Sequence, residues 1–287
     1  MNSRARLRAL LDSGELTTAP GVFDGISASL IARTGFSAAY LTGAGVSASG
    51  FGLPDIGLIG QSEMTERARM VAGVLGDIPL IADADTGYGA PLNVVRTVRE
   101  YERAGVAALH LEDQAFPKKC GHLPDKELVG TGEYLSKLKA ALDARVDENL
   151  VIIARTDARA PLGLTAAIER ANLYAEAGAD VIFVEAPQSV EEIERIAREV
   201  SAPLLINMVQ GGLTPDTSAE RLAELGFRIA IHPAVALGAA AAGMLHALAY
   251  LRGIDAGPLM PSTPAGFFDL LGLSDWSALG ERYRTEK

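Results

Sequence analysis

The segment at 117–122 reads Pro-Lys-Lys-Cys-Gly-His and holds the only cysteine of the 287-residue chain. A thiol set directly after two ammonium groups is expected to ionise more easily than a free one, because nearby positive charge favours the thiolate. Cys120 is therefore a candidate acid, base or nucleophile, against the competing reading of a small buried side chain without chemistry. Its neighbours favour the first reading, since Lys118, Lys119, Gly121 and His122 are not core composition. A second set of residues is rich in acids: Asp83 with Asp85, Glu112 with Asp113, and Arg155 with Asp157, joined by Thr42, Glu185, Asn207 and His232. Carboxylates gathered in one place repel unless a cation lies between them. A hard divalent ion such as Mg²⁺, keeping several waters and bound by one or two carboxylates, meets that need. Salt bridges to Arg155 or Lys118 without a metal are the alternative.

These polar groups share one position in the chain's rhythm. Between about 19 and 233, short apolar, β-branched runs alternate with segments of helical period, eight of each. The expected strands lie near 21–23, 38–42, 80–85, 108–113, 151–156, 181–185, 204–209 and 228–232. Eight βα units predict a closed parallel (β/α)8 barrel of the TIM type, with an open doubly wound sheet as the alternative. Gly35, Gly105, Gly178 and Gly226 each follow a helical stretch and read as helix C-terminal caps. Pro20, Pro79 and Pro203 stand before the first, third and seventh strands, where a missing N–H is tolerated.

Almost every polar group named above falls at the carboxyl end of a strand, where barrel enzymes build their sites. Strand alternation puts Asp83 and Asp85 on one side, and likewise His110 with Glu112 and Arg155 with Asp157. Mid-strand His110 reads as a satisfied interior histidine rather than a metal ligand, and His246 in an Ala-rich helix reads as structural. The glycines at 43, 45, 87 and 89 serve either tight turns or close approach of an anion to backbone N–H groups. Met-Val-Gln-Gly-Gly at 208–212 is either a substrate wall or a simple connection.

Composition narrows the function classes. A net charge of −10 and a pI near 5.0 argue against nucleic acid as a partner, and no run is long enough to span a bilayer. The N-terminal sequence lacks an uninterrupted apolar core of signal-peptide length, and Asp12 and Glu15 count against a transit peptide. A lone cysteine excludes an intrachain disulfide, so a cytoplasmic setting is expected.

Four motifs in order, Asp-Ala-Asp-Thr-Gly-Tyr-Gly at 83–89, Leu-Glu-Asp-Gln at 111–114, Lys-Lys-Cys-Gly-His at 118–122 and Ala-Arg-Thr-Asp at 154–157, resemble the isocitrate lyase and phosphoenolpyruvate mutase superfamily. The resemblance runs from about 20 to 250. It implies a barrel over 1–253 and a helical extension over 254–287 that packs on a neighbouring subunit of a homotetramer. It also implies a Mg²⁺ site, with Mn²⁺ able to substitute, in which Asp85 is the main ligand and Asp83, Asp55 and Glu112 surround the ion, some through water. Cys120 becomes the acid on a gating loop, with Lys118 and His122 alongside and Arg155 among the catalytic groups. Thr42, Gly43, Ala44, Gly121, Arg155, Glu185 and Asn207, with Cys120 itself, match the substrate-binding positions.

The implied activity is cleavage of a carbon–carbon bond in a small 2-hydroxy di- or tricarboxylate, of the 2,3-dimethylmalate or methylisocitrate type, giving a 2-oxo acid such as pyruvate plus a short carboxylate. The methylisocitrate-cleaving branch has an arginine soon after the strand-eight proline, whereas here the Ala-rich run after Pro233 contains none before Arg252. The stretch from 257 to 273 also lacks arginine. Losing a bidentate clamp on a carboxylate favours a smaller substrate, a substituted malate or oxaloacetate cleaved hydrolytically, and Val209 in place of a frequent threonine agrees. A phosphonate enzyme breaking or rearranging a P–C bond, and a silent metabolite-binding barrel, are the competing readings.

Overall fold

The structure is a computed structural model that describes residues 2–254, 263–269 and 271–283. Its strands are β1 (Thr17–Val22), β2 (Ala39–Leu41), β3 (Leu80–Asp83), β4 (Ala108–Glu112), β5 (Val151–Thr156), β6 (Val181–Val184), β7 (Leu204–Asn207) and β8 (Ile229–His232). Each pairs in parallel with the next, and β1 pairs with β8, so the sheet closes in chain order and the open-sheet alternative falls away. All four expected cap glycines take left-handed φ angles, 82° at Gly35, 91° at Gly105, 102° at Gly178 and 89° at Gly226. Only glycine adopts that conformation without strain, so each helix stops where its following strand must begin. Starts are set as locally: Asp24 and Ser27 form a capping box for the helix Gly25–Arg33, and Ser189 caps Val190–Glu199.

Two expectations need correction. Pro20 lies inside β1 rather than before it. Residues 17–20 pair with β8 and residues 21 and 22 with β2, so the proline stands where the strand changes neighbours and its missing donor breaks no continuous ladder. β3 ends at Asp83, and Asp85 follows it with a left-handed φ of 45°. Strand alternation therefore does not govern Asp85, whose direction is set by the turn.

Alternation holds inside the barrel. Tyr40, Ile81, Val151, Ile153, Val181, Phe183, Leu205, Ile229 and Ile231 fill the lumen, while Leu41, Leu80, Ala82, Leu109, Leu111, Ile152, Ile182 and Ile206 face the surrounding helices. The lumen is thus apolar low down and turns polar along the strand direction. Its base is closed by the helix Ser3–Asp12, which lodges fully buried Leu7 among the lumen residues. Arg4 donates to the carbonyl oxygens of Val106 and Glu102 and pairs with Asp147; Arg8 donates to those of Glu148, Asn149 and Leu150 and pairs with Asp180.

After β8 comes the helix Val235–Leu251. Of the expected extension over 254–287, the structure describes the helices Pro264–Asp269 and Leu273–Glu281; 255–262, 270 and 284–287 lie outside the described residues. Among the described residues no helix is long and apolar enough to cross a membrane.

Candidate active site

At the carboxyl end of the strands a cavity of about 720 Å³ opens between the barrel mouth, the helix Val235–Leu251 and the helix Pro264–Asp269. Thr42, Ala44, Asp55, Asp83, Cys120, Gly121, His122, Arg155, Glu185 and Asn207 line it, so ten of the fourteen expected site residues meet around one space. Gly43, Asp85, Glu112 and Lys118 are not part of the lining but touch residues that are: Gly43 N and Asp85 N donate to Asp83, Glu112 lies against Arg155, and Lys118 reaches Asp55. Val209, Gln210 and Gly211 line the cavity too, which makes 208–212 a wall rather than a bare connection.

Two groups of contacts organise the floor. In the first, Lys118 Nζ sits 2.5 Å from Asp55 Oδ1 and 2.7 Å from Asp85 Oδ1. Burial works against the ammonium, but Asp55, Asp85, Glu112 and Asp83 together hold its pKa well above that of an ordinary lysine. Burial pushes Asp85 up to about 7, opposed by Lys118 and reinforced by Asp83 and Asp55. Asp83 goes the other way: burial raises it, and His110, Lys118 and Arg155 outweigh that and hold it below the usual carboxylate range. In the second group Arg155 grips Asp157 with two hydrogen bonds, Nε to Oδ2 at 2.9 Å and Nη2 to Oδ1 at 3.1 Å, while Nη1 lies 3.2 Å from Glu112 Oε2. Its guanidinium also stacks over Phe183, 5.1 Å from the ring centre.

His110 is interior, as expected, but only half satisfied, since its buried Nδ1 has no hydrogen-bond partner. Its Nε2 is 2.8 Å from the Tyr40 hydroxyl and 3.7 Å from Asp83, and burial depresses its pKa to about 4. His246 is exposed on the helix Val235–Leu251, and His232 lies outside the cavity lining.

The loop carrying Cys120 is held at its base by an antiparallel bridge between Gln114 and Leu128, with Ala115 N donating to Glu127 O and Val129 N to Asp113 O. The tip then folds over the barrel mouth. Cys120 N donates to Asp55 O at 3.0 Å. Leu213 N donates to His122 Nδ1 at 3.0 Å, which assigns the ring proton to Nε2, facing Glu185 Oε1 at 3.4 Å. Asn207 Nδ2 donates to the same Glu185 oxygen. A side chain at Gly121 would place its Cβ 2.1 Å from Glu185 Oε1, so only glycine lets the loop approach this closely.

The expected easy ionisation of Cys120 is overturned. Burial and the Asp55 charge push its thiol up to about 12, with Lys118 opposing. The Lys118 ammonium is already engaged by two carboxylates, so its charge is largely spent before it reaches the sulfur. A thiol held protonated is suited to give a proton rather than to attack.

The residues for a divalent ion can be tested on their unmet bonding. Glu112 Oε1 is buried without a partner, Glu112 Oε2 and Asp85 Oδ1 have only the cations of Arg155 and Lys118 beside them, and burial drives the Glu112 pKa well above its usual range despite Arg155. These oxygen-only donors suit a hard ion. Among the described residues no three His, Cys, Asp or Glu side chains converge tightly enough to cage one. The donor set therefore fits an ion held by one or two carboxylates and completed by water.

Lys126 and Asp157 are the functional candidates that sequence reasoning left unassigned. Lys126 Nζ donates to Gly121 O at 2.5 Å and to Asp157 Oδ1 at 2.8 Å. No local pattern announces a pair 31 residues apart.

The model of the phosphoenolpyruvate phosphomutase family matches residues 7–252. A 2,3-dimethylmalate lyase from Eubacterium barkeri is 44% identical over 288 residues, covering 99% of each chain. A 2-methylisocitrate lyase from Aeropyrum pernix is 48% identical over 227 residues, 79% of this chain and 72% of the relative. Among solved structures, oxaloacetate acetylhydrolase in complex with the inhibitor 3,3-difluorooxalacetate superposes with a TM-score of 0.86 at 39% identity, covering 98% of this chain and 97% of that one. With its barrel, its Cys-bearing loop and its cluster of acids accounted for in this way, the chain belongs to the phosphoenolpyruvate phosphomutase family, within the isocitrate lyase and phosphoenolpyruvate mutase superfamily of enzymes.

Proposed function

We infer that this enzyme cleaves the carbon–carbon bond of a 2-hydroxy dicarboxylate of the 2,3-dimethylmalate type, giving a 2-oxo acid and a short carboxylate. One observation carries the choice of substrate. Among the described residues Arg155 is the only arginine or lysine lining the cavity, and much of the rest of the lining is apolar, including Val209, Leu237, Ala242, Phe267 and Phe268. One guanidinium can pair one carboxylate well, and a third carboxylate against those apolar side chains would be buried without a partner. Alkyl groups suit them.

Asp85, with Asp83, Asp55 and Glu112 around it, would hold Mg²⁺ or Mn²⁺, partly through water, and the bound ion would lower the pKa of the substrate hydroxyl and stabilise the oxo acid. The chain's own groups do the rest. Thr42 and the backbone of Gly43 and Ala44 orient the carboxylate end, and Arg155 meets its charge. Transfer of the hydroxyl proton to one of the carboxylates at the barrel mouth lets the adjacent bond break, and the electron pair leaves on the departing fragment as an enolate-like carboxylate. Cys120 then protonates that carbon, with Gly121, Glu185 and Asn207 shaping the space around it and His122 and Lys118 holding the loop down. A closed loop keeps water from competing for the carbanion. The homotetramer and the cytoplasmic setting belong to the same reading. Exposed Met244, Leu248, Tyr250 and Leu251 on the helix Val235–Leu251 support the association.

The test supplies Mg²⁺ with 2,3-dimethylmalate, methylisocitrate, isocitrate, oxaloacetate and phosphonopyruvate in turn, and follows 2-oxo acid, oxalate or phosphate release. Turnover of dimethylmalate above the tricarboxylates supports the reading. Preference for methylisocitrate removes the argument from the single arginine while keeping the chemistry, oxalate release from oxaloacetate alone makes the enzyme a hydrolase, and phosphate release sinks the carbon–carbon assignment.

A further inference from the structure

The loop tip, residues 116–126, reaches the barrel through four polar tethers. Lys118 meets Asp55 and Asp85, Cys120 N meets Asp55 O, His122 lies between Leu213 N and Glu185, and Lys126 meets Asp157. The first three involve cavity residues or the carboxylates assigned to the ion, groups that substrate and metal would re-pair on binding. The fourth does not: neither Lys126 nor Asp157 lines the cavity. It meets the cavity only indirectly, through the Gly121 carbonyl and through Arg155.

The fourth tether is also the most secluded. The Lys126 side chain is 1% exposed and that of Asp157 is fully buried. An ammonium buried to this degree is stable only when paired and hydrogen-bonded, and it has both: Asp157 as counter-ion and the Gly121 carbonyl as a second acceptor. Burial raises Asp157, but Arg155 and Lys126 outweigh this and hold its carboxyl well below the usual range, so the anion is present at any working pH. Asp157 itself is fixed from behind, since its N–H donates to Asp113 Oδ1 at 2.9 Å. Gly121 stands between Cys120 and His122 and presses on Glu185, with no room for a side chain. Where its carbonyl is held, the residues on either side are held too.

We propose that Lys126 is a positioning residue that pins the Gly121 carbonyl to Asp157, fixing Cys120 and His122 over the cavity and tying the loop to Arg155 through their shared carboxylate. This role in turnover rests on the reading of Cys120 as the proton donor; its role in placing the loop does not. A misplacement of a reacting group by about 1 Å costs on the order of 100-fold in rate, so a loosened Gly121 should be felt in kcat more than in KM. Arg155 keeps both its bonds to Asp157 when Lys126 is removed, which spares the substrate's main cationic contact.

The experiment uses the single cysteine as its reporter. The alkylation rate of Cys120 by iodoacetamide is measured without substrate in the wild type, Lys126→Met and Lys126→Ala, alongside steady-state kinetics and thermal melting. Lys126→Ala lacks three methylenes and an ammonium, the size of propylammonium, which is added as a rescuing cation. The expected result is alkylation at least about tenfold faster in both variants, kcat lowered about 10- to 100-fold with KM changed far less, and both effects reversed in Lys126→Ala by propylammonium but not by tetramethylammonium. Alkylation at the wild-type rate in Lys126→Met overturns the proposal. If both variants melt early, rescue decides: propylammonium that restores the melting point without slowing alkylation shows a merely structural lysine. Faster alkylation with propylammonium rescue, in an enzyme whose wild type turns over nothing in the substrate panel, leaves Lys126 placed as argued and removes the assigned reaction instead.

Discussion

The two ends of the barrel bury charge in opposite ways. At the base, Arg4 and Arg8 are cations held by five backbone carbonyls and by Asp147 and Asp180, and Leu7 from the same helix fills the lumen. At the mouth, buried acceptors outnumber their donors: Glu112 Oε1, Asn207 Oδ1 and His110 Nδ1 have no partner, and Glu112 Oε2 and Asp85 Oδ1 have only the cations of Arg155 and Lys118. An unmet buried oxygen costs stability that a met one does not. The base is therefore organised for the fold and the mouth for a ligand, and substitutions at the two ends should separate stability from activity.

The sharpest separation comes from Cys120→Ser. Turnover should fall by about 10²- to 10⁴-fold, the usual worth of a positioned proton donor, with the melting midpoint unchanged. Activity retained in that variant would move the acid elsewhere and blunt the contrast. Leu7→Ala is its mirror at the base: truncating a fully buried leucine should cost about 2–5 kcal/mol in denaturant unfolding while kcat stays at the wild-type value. Next in size, Mg²⁺ at 100 times its Kd should stabilise the wild type by about 2.7 kcal/mol, and Asp85→Asn should lose most of that gain in calorimetry. Equal stabilisation of both proteins would separate Asp85 from the ion. The smallest expected change is Arg8→Lys, which keeps the charge but loses the fork that spans three carbonyls; about 1 kcal/mol of stability should go, with no change in activity.

How much of this the sequence announced differs between the two ends as well. Eight strands and four cap glycines were legible because they follow from local rules, alternation and the left-handed angles that glycine adopts without strain. The polar residues at strand ends were legible for the same reason, and Thr42, Asp83, Arg155, Glu185 and Asn207 among them line one cavity. Local rules failed where the chain leaves regular structure. Asp85 turns by a positive φ rather than by strand alternation, and Pro20 sits inside a strand because that strand changes neighbours there. Cys120 was misjudged on its acidity because adjacency in sequence to Lys118 says nothing about Asp55 and Asp85, which claim that ammonium from other loops. Lys126 went unassigned because its significance lies in a contact with another strand end. Asp55 was reached only through resemblance, since it stands alone between elements with no pattern to mark it.

The paired base of the Cys120 loop bears on conformational entropy. Residues 116–126 spring from a two-stranded stem joined at Gln114 and Leu128 and reinforced on both sides by backbone hydrogen bonds. Ordering an unstructured segment of that length would cost on the order of 10 kcal/mol, at about 1–2 kcal/mol per residue. A stem already formed confines that freedom before any substrate arrives, so the affinity of a small dicarboxylate, a molecule with few atoms to contribute, is not consumed in folding the segment that covers it.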